Sequence, residues 1–291
     1  MLRISTRTSA TYTKLKNNIL SGVEKIDHLK KLKKNLISKQ FDPQADENYW
    51  LEQLKQLPRE KLPKHVGIVP DGNRRYAKKN NISRNMGHFR GYEVVKKILV
   101  SCFNAGIKYL SLYALSLENA VKRTQEELDY IYKIIKIAVE TVKKEPIVTE
   151  QKVRFNVIGR LELLPQDVRD KIDELIDYTK EHDKAFINVL IMYDGQAEIV
   201  DAVKKIINEK IEVNSIDRTL IKEHLYTKNF PELDYLIRTG MDDGMRLSGF
   251  LLWDASYAEF KFRNDLWPEY NDEMLLEDLN DYIKRNRRKG K

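Results

Sequence analysis

The sequence predicts an α/β protein with a mostly parallel, six-stranded sheet surrounded by helices. Short apolar runs alternate with longer segments of helical periodicity along most of the 291 residues. The segments between successive runs are long enough for the crossover helices that parallel strands require. Polar residues suited to ligand binding follow several runs, as expected where parallel strands end at one edge of a sheet.

The predicted elements alternate between strand and helix from about residue 63 onward. The predicted strands are apolar runs bounded by turn residues, and they comprise residues 66–69, 109–114, 154–158, 187–192, 235–237 and 259–262. The predicted helices carry apolar residues at helical spacing, and they comprise residues 50–57, 92–104, 125–143, 165–182, 196–211 and 216–226. A chain of this length can bury the core of one large domain.

Residues 1–62 are predicted to form a basic extension, and residues 63–291 a single globular domain. Residues 1–40 contain ten Lys or Arg and two acids, so the net charge of +8 is concentrated there. Apolar residues from Leu15 to Leu36 recur at helical spacing and indicate an amphipathic helix. Packing on the protein or on a partner is one interpretation, and peripheral membrane attachment is the sharper hypothesis. A faint likeness to a mitochondrial presequence is a third interpretation.

Composition argues against several classes of protein. The body of the chain is neutral overall, so nucleic-acid binding is not predicted. The single cysteine, Cys102, cannot form an internal disulfide, and a zinc site built from several cysteines is excluded. No apolar run approaches the ~20 residues needed to span a bilayer. We therefore expect a cytoplasmic protein, with membrane contact confined to the N-terminal helix.

The most informative segment follows the first predicted strand and contains Asp71, Gly72, Arg74 and Arg75. Gly72 lets backbone N–H groups approach an anion, and the turn opens a helix whose N-terminus favours negative charge. The two guanidinium groups suit a phosphate. Asp71 beside so much positive charge is explained if it holds a divalent cation against a diphosphate. A polar turn with a helix cap is the alternative interpretation.

Two further polar blocks follow later strands. Ser116, Glu118 and Asn119 end the second strand, where they either bind a ligand or cap the next helix. The last block predicts a second anion site, because it contains two arginines and a serine, Arg238, Arg246 and Ser248, with Leu247 between the last two. It ends at Glu259, a carboxylate that suits a metal.

Together these blocks resemble the cis-prenyltransferase family, the undecaprenyl or dehydrodolichyl diphosphate synthases. The resemblance covers roughly residues 63–290 and includes Leu-Leu-Trp at 251–253 and Leu-Trp-Pro at 266–268. It implies a single α/β domain whose helices and sheet enclose a hydrophobic tunnel, and a homodimer. It also implies condensation of isopentenyl diphosphate units onto farnesyl or geranylgeranyl diphosphate, with Mg²⁺. The product would be a long-chain Z-polyprenyl diphosphate, the precursor of a glycosyl carrier lipid.

The resemblance also implies roles for individual residues. Asp71 binds Mg²⁺ and helps the allylic diphosphate leave, Glu259 completes the metal site, and Asn119 is the candidate proton acceptor. Tyr76 lies beside the substrate. Residues that cradle the allylic diphosphate are Gly72, Asn73, Arg74, Arg75, Arg84 and His88. Residues that line the junction of the two substrates are Ser116, Leu117 and Glu118. Residues that hold isopentenyl diphosphate are Arg238, Arg246, Leu247 and Ser248.

The chain departs from the family pattern at several positions. The family's Arg-Pro is replaced by Lys122-Arg123-Thr124. Either Lys122 or Arg123 takes the arginine role, and strict spacing favours Lys122. The stretch between Arg238 and Arg246 is about two residues longer than the common form. The variant pattern is more similar to archaeal members. Arg288-Lys289-Gly290 resembles the family's C-terminal Arg-x-Gly element, which reaches across the dimer in some members.

Other classes of protein fit the sequence less well. Trans-type prenyl synthases use DDxxD motifs, and Asp242-Asp243 is followed by Gly-Met-Arg. Neither common glycine-rich nucleotide motif occurs. A non-catalytic subunit of the same fold is the main alternative to an enzyme. Because such subunits typically lose the catalytic Asp and the substrate arginines, the presence of Asp71, Arg238 and Arg246 predicts an active enzyme.

Overall fold

A computed structural model describes the backbone of residues 43–285 and the side chains from residue 48 onward. The chain divides into two compact units, residues 1–49 and residues 50–291. The predicted amphipathic helix and the Arg288-Lys289-Gly290 element lie outside the described residues. The predicted division at residue 62 stays a prediction.

A six-stranded sheet forms the centre of the larger unit, as predicted. Its strands lie in the order β3-β4-β2-β1-β5-β6, and all five pairings are parallel. Each strand is within two residues of its predicted bounds at either end. The strands are β1 His65–Val69, β2 Tyr109–Ser116, β3 Val153–Ile158, β4 Ala185–Tyr193, β5 Tyr235–Arg238 and β6 Glu259–Phe262.

The α-helices of the described residues include each of the six that were predicted between residues 50 and 226. Those predicted are α1 Pro43–Lys55, α3 Arg84–Ala105, α5 Gln125–Val142, α7 Gln166–Thr179, α8 Gly195–Asn208 and α9 Arg218–His224. Those without predicted bounds are α2 Asn73–Lys79, which is the helix expected after the turn at Gly72, α4 Leu117–Lys122, α6 Pro146–Glu150 and α10 Asp272–Lys284. Three of these four are short, where hydrophobic periodicity is a weak signal.

Side-chain caps fix where several helices begin. Ser83 Oγ accepts a hydrogen bond from Met86 N at the start of α3, and Asn271 Oδ1 accepts one from Met274 N at the start of α10. Ser116 Oγ accepts from Asn119 N, so the capping interpretation of this block is confirmed. Gly106 ends α3 with a φ of 100°, a left-handed conformation that glycine adopts without strain.

The core occupies both faces of the sheet. Ile68, Leu112 and Ile187 belong to a large cluster on one face, which also includes Ile98 of α3. Leu190 lies on the opposite face, in a second cluster. Alternate residues of a strand point to opposite faces, so parallel strands covered on both sides are apolar almost throughout.

One histidine lies inside this apolar sheet. His65 is fully buried on β1, where Nδ1 donates to Pro231 O at 2.9 Å. Its Nε2 is then free of a proton and accepts from Ser111 Oγ at 2.8 Å. Burial lowers the pKa of His65 to about 4. This histidine is therefore a neutral structural residue near neutral pH.

Within the described residues, no helix is long and apolar enough to cross a membrane.

Candidate active site

The site is built where β1 and β5 end side by side. Val69 pairs with Arg238 in the sheet, and Asp71 follows β1 directly. Arg238 Nη2 donates to Asp71 Oδ2 at 3.0 Å, and Thr239 Oγ1 donates to Asp71 O at 2.8 Å. The carboxylate of Asp71 is therefore fixed at the carboxyl edge of the sheet, where ligands of open α/β folds bind.

The turn at Gly72 depends on glycine. Its φ is 113°, and a Cβ at this position would lie 3.0 Å from the backbone Cα of Leu266. The next residues form α2, which places Arg74 and Arg75 near Asp71. Arg75 Nη2 donates to Gly240 O at 2.6 Å and lies 3.4 Å from Asp71 Oδ1. Substitution of Gly72 would therefore displace the whole turn.

Arg238 is the best-buried charge at this edge. Its Nη1 donates to Arg246 O at 2.7 Å and to Ser248 Oγ at 2.9 Å. Its Nε is buried and has no hydrogen-bond partner among the described residues. Buried donors are rarely left unpaired, so this nitrogen indicates an acceptor that a ligand supplies.

A second charged cluster lies beside the first and contains His88, Arg74, Arg123 and Glu127. His88 Nε2 donates to Glu127 Oε1 at 2.8 Å, and Arg123 Nε lies 3.3 Å from the same oxygen. Arg74 Nε is 3.9 Å from it. Burial raises the pKa of the Glu127 carboxyl, but the hydrogen bond from His88 and the nearby guanidinium groups outweigh burial and hold this pKa below its usual value.

His88 differs from the role that the resemblance implies. Burial lowers the pKa of His88, so the ring is neutral near neutral pH. Because Nε2 donates to Glu127, Nδ1 carries no proton and cannot donate to a phosphate. His88 therefore orients Glu127, which in turn positions the guanidinium of Arg123.

Glu127 was not predicted as a site residue. It follows Thr124 by three residues at the start of α5, a spacing typical of a capping box. Thr124 Oγ1 does accept from Glu127 N, at 3.3 Å, but the carboxylate turns toward His88 instead of back to the cap. The signal in the sequence is the spacing of Arg123 and Glu127, because side chains four residues apart can form an ion pair on a helix.

The assignment of the arginine role to Lys122 by strict spacing is corrected by burial. The Lys122 side chain is 69% exposed and pairs with Glu118. Arg123 is 14% exposed, and its buried Nε makes no hydrogen bond among the described residues. Both residues line the cavity, but only Arg123 presents a desolvated cation to it.

A cavity of about 970 Å³ opens from these charged groups into the protein. Its walls are α3, α5 and the face of β2, β3 and β4 that carries Leu112, Phe155 and Ile187. The α3 wall runs from His88 to Phe103, which is roughly 22 Å of helix at 1.5 Å per residue. The cavity is therefore charged at its mouth and mostly apolar beyond it, apart from the ion pair of Lys96 and Glu145.

Most of the predicted site residues meet at this mouth. The cavity lining contains Asp71, Gly72, Asn73, Arg74, Arg75, Arg84, His88, Ser116, Glu118, Asn119, Lys122, Arg238, Arg246 and Ser248.

Three predicted substrate-binding residues do not line the cavity. Leu117 packs in an apolar cluster with Leu115, and Leu247 packs in another with Phe250. Tyr76 is half-buried on α2, outside the lining. None of the three lines this cavity, and their roles at the substrate site stay predictions.

Glu259 is also not brought to Asp71. It opens β6 opposite Tyr235, three residues before Arg238, which is roughly 10 Å along the strands. Its Oε2 accepts from Arg285 Nη1 at 2.7 Å. A residue that begins a parallel strand lies at the opposite edge from one that follows a strand, so the described chain does not place Glu259 beside Asp71. Its role in completing the metal site stays a prediction.

The remaining residues fit a metal only in part. No group of three or more His, Cys, Asp or Glu side chains among residues 48–285 could hold a metal ion. Asp71 is a partly exposed carboxylate at the mouth, between two arginines. Mg²⁺ often takes one or two carboxylates and completes its shell with substrate phosphates and water. The site therefore fits a cation held jointly by Asp71 and a bound diphosphate.

The fold and the site define an α/β protein with a cluster of arginines at the carboxyl edge of its sheet and a largely apolar cavity behind them. Residues 69–290 match the family described as "Putative undecaprenyl diphosphate synthase". The chain belongs to this family, the cis-prenyltransferases, and is a prenyltransferase.

Relatives and solved structures agree with this assignment. The chain is 39% identical to the tritrans,polycis-undecaprenyl-diphosphate synthase (geranylgeranyl-diphosphate specific) of Pyrococcus horikoshii, over 86% of this chain and 95% of the relative. It resembles the structure of lavandulyl diphosphate synthase from Lavandula x intermedia in complex with dimethylallyl diphosphate, with a TM-score of 0.75 and 31% identity. That match covers 80% of this chain and all of the other. A probable undecaprenyl diphosphate synthase from Campylobacter jejuni gives a TM-score of 0.65 and 30% identity, over 79% and 99% of the two chains.

Proposed function

We propose that the chain adds isopentenyl diphosphate units to geranylgeranyl diphosphate and makes a long Z-polyprenyl diphosphate, the precursor of a glycosyl carrier lipid. The observation that carries this proposal is the Asp71–Arg238 pair at the mouth of a long apolar cavity. A prenyl diphosphate has the same two parts, an anionic head and an apolar tail. The name of the Pyrococcus horikoshii relative supports geranylgeranyl diphosphate as the primer.

The mouth separates two anion sites. Arg74, Arg75 and Arg123 surround the allylic diphosphate, while Arg238 and Arg246 hold the diphosphate of isopentenyl diphosphate. Breaking the allylic C–O bond leaves negative charge on the departing diphosphate, and fixed guanidinium groups stabilise that charge. Mg²⁺ held by Asp71 and the diphosphate would add Lewis-acid stabilisation to the same oxygen atoms.

The apolar cavity protects the positive charge that develops on carbon. Its walls exclude water, which would otherwise add to the allylic cation. Asn119 lies at the mouth, but an amide is not among the side chains that act as general bases. We therefore assign Asn119 a hydrogen-bonding role, and the proton of isopentenyl diphosphate passes to the departing diphosphate.

The direct test is incubation of the protein with labelled isopentenyl diphosphate, Mg²⁺ and dimethylallyl, farnesyl or geranylgeranyl diphosphate. We expect chain growth that is fastest from geranylgeranyl diphosphate and stops with EDTA. Asp71→Asn should lower the rate by about 100-fold, the order of magnitude for one group that stabilises transition-state charge. Asp177→Asn, on the exposed side of α7, should leave it unchanged. Absence of growth with every primer would contradict the proposal.

Homodimerisation is part of the proposal. Val200, Val203 and Ile207 are exposed on α8 at spacings of three and four, so they form one apolar stripe. Such a stripe supports association with a second copy of the chain. Sedimentation should give a dimer for the wild type and a smaller species for Val203→Glu. A wild-type monomer at micromolar concentration would contradict this part.

Peripheral membrane contact through the N-terminal helix is also proposed, on the sequence alone. The basic charge of residues 1–40 suits anionic lipid. Deletion of residues 1–40 should abolish binding to anionic vesicles while the truncated enzyme still elongates primers. Unaltered vesicle binding would contradict it.

A further inference from the structure

The loop after β5 places two consecutive aspartates on the arginines at the cavity mouth. Asp242 accepts a hydrogen bond from Arg75 Nη1, and Asp243 Oδ1 accepts one from Arg246 Nη1 at 2.9 Å. Each aspartate thus pairs with a different arginine. Both arginines line the cavity, and under the proposed function they bind two different diphosphates.

The loop is anchored at its base and exposed at its tip. Gly240 N donates to Asp265 O at 2.8 Å, and Met241 N donates to Arg263 O at 2.9 Å. The side chains of Asp242 and Asp243, in contrast, are 57% and 62% exposed. The tip can therefore move while β5 and its anchored base stay in place.

Beyond the two aspartates, the tip is open. Gly244 has a φ of 119°, and no neighbouring atom lies within 4 Å of the position of a Cβ. Met245 is exposed. The tip of the loop is therefore exposed to solvent beyond the two aspartate–arginine pairs.

The two aspartate–arginine pairs are easily exchanged. Ion pairs between exposed side chains contribute little to stability. A diphosphate offers several charged oxygen atoms to the same guanidinium groups and can bind them in bidentate geometry. Arg246 also lowers the pKa of the Asp243 carboxyl, so this side chain is charged at neutral pH.

We propose that Asp242 and Asp243 substitute for substrate phosphate in the free enzyme, and that the two diphosphates displace them. This inference rests on the proposed function of Arg75 and Arg246. Asp242 competes with the allylic diphosphate for Arg75, and Asp243 competes with isopentenyl diphosphate for Arg246. Each aspartate therefore weakens the binding of one substrate, and both keep the mouth preorganised while it is empty.

The test is calorimetric binding of each substrate alone to the full chain, in EDTA at low ionic strength. Asp242→Asn should lower the Kd of geranylgeranyl diphosphate about threefold and leave that of isopentenyl diphosphate unchanged, and Asp243→Asn should do the reverse. Asp177→Asn removes one negative charge from an exposed ion pair on α7 and is the matched control. Its two Kd values should equal those of the wild type.

Salt provides a second readout. Exposed ion pairs are screened as ionic strength rises. The ratio of the wild-type Kd to the Kd of each asparagine variant should therefore fall toward one between roughly 0.05 M and 0.5 M NaCl. A higher or unchanged Kd in the variants would overturn the inference, as would an equal effect in Asp177→Asn. A higher Kd of Asp242→Asn only in Mg²⁺ would instead make Asp242 a metal ligand, which also overturns it.

Failure of the proposed function gives a different result. If the wild type binds neither diphosphate, or if Arg75→Gln and Arg246→Gln bind both as tightly as the wild type, the anion sites themselves are wrong. If the arginine variants weaken binding but the asparagine variants do not tighten it, only the displacement by Asp242 and Asp243 is wrong.

Discussion

Arg123 and Lys122 are consecutive bases with different surroundings. Lys122 is the last residue of α4 and extends into solvent, whereas Arg123 caps that helix and turns inward to Glu127. A desolvated guanidinium interacts more strongly with an anion than a hydrated ammonium at the surface does. Of the two bases, Arg123 therefore contributes more to the electrostatics of the mouth.

Arg123→Gln should lower kcat/KM by about 10- to 100-fold, the range for a lost charge-assisted hydrogen bond. Lys122→Gln should stay within about twofold of the wild type, because an exposed ion pair contributes little. Steady-state kinetics with both substrates measures the difference, and thermal unfolding checks that both variants are folded. A larger loss in Lys122→Gln would restore the assignment made from sequence spacing.

At the scale of elements, the contact between α2 and α3 positions the turn at Gly72. A Cβ on Gly87 would lie 2.5 Å from the backbone oxygen of Asn73, and one on Gly91 would lie 2.4 Å from the Asn73 side chain. Trp267 Nε1 donates to Gly91 O at 2.8 Å from the other side. The start of α2 is thus held between α3 and the segment that precedes α10.

Gly87→Ala tests this contact. In an uncrowded helix, alanine would stabilise the protein by about 0.5–1 kcal/mol relative to glycine. Here the methyl group meets backbone, so we expect a loss of about 1–3 kcal/mol in the free energy of unfolding and weaker diphosphate binding. Chemical denaturation and calorimetry measure the two effects. A variant more stable than the wild type would show that the helices are not in close contact.

The sequence predicted elements better than it predicted side-chain direction. Strand positions followed from apolar runs, and the meeting of Asp71 with Arg238 followed from the rule that parallel strands end at one edge. Glu259 opens the predicted sixth strand, so the same rule places it at the opposite edge from Asp71, whereas the metal role assigned to it came from the family resemblance alone. Glu127 was missed, and Arg123 was not distinguished from Lys122, because the turn after α4, which points Arg123 and Glu127 inward, depends on packing that the sequence does not display.

At the scale of the whole molecule, stability should depend on pH through His65. Its pKa is about 4 in the folded protein, against about 6.5 in the unfolded chain, so the unfolded state binds more protons between these values. Stability is then fully present above about pH 6.5 and falls as pH drops toward 4. At about pH 4.5, protonation of His65 alone should lower the free energy of unfolding by roughly 2–3 kcal/mol.

Urea unfolding of the wild type and of His65→Gln, between about pH 7.5 and 4.5, checks this dependence. The variant should be less stable at the upper end of this range but should lose less stability on acidification, because it has no group to protonate at this position. Equal losses in the two proteins would contradict the interpretation of His65 as a neutral buried histidine.

The central claim is that the cavity behind Asp71 and Arg238 holds the growing prenyl chain. Ala138 lines this cavity from α5, and its neighbour Ile137 lies on the exposed side of the same helix. The most direct measurement is the product length made by Ala138→Phe, with Ile137→Phe as the matched control. We expect a shorter product from Ala138→Phe and a wild-type product from Ile137→Phe. An unchanged product length from folded, active Ala138→Phe would contradict the claim.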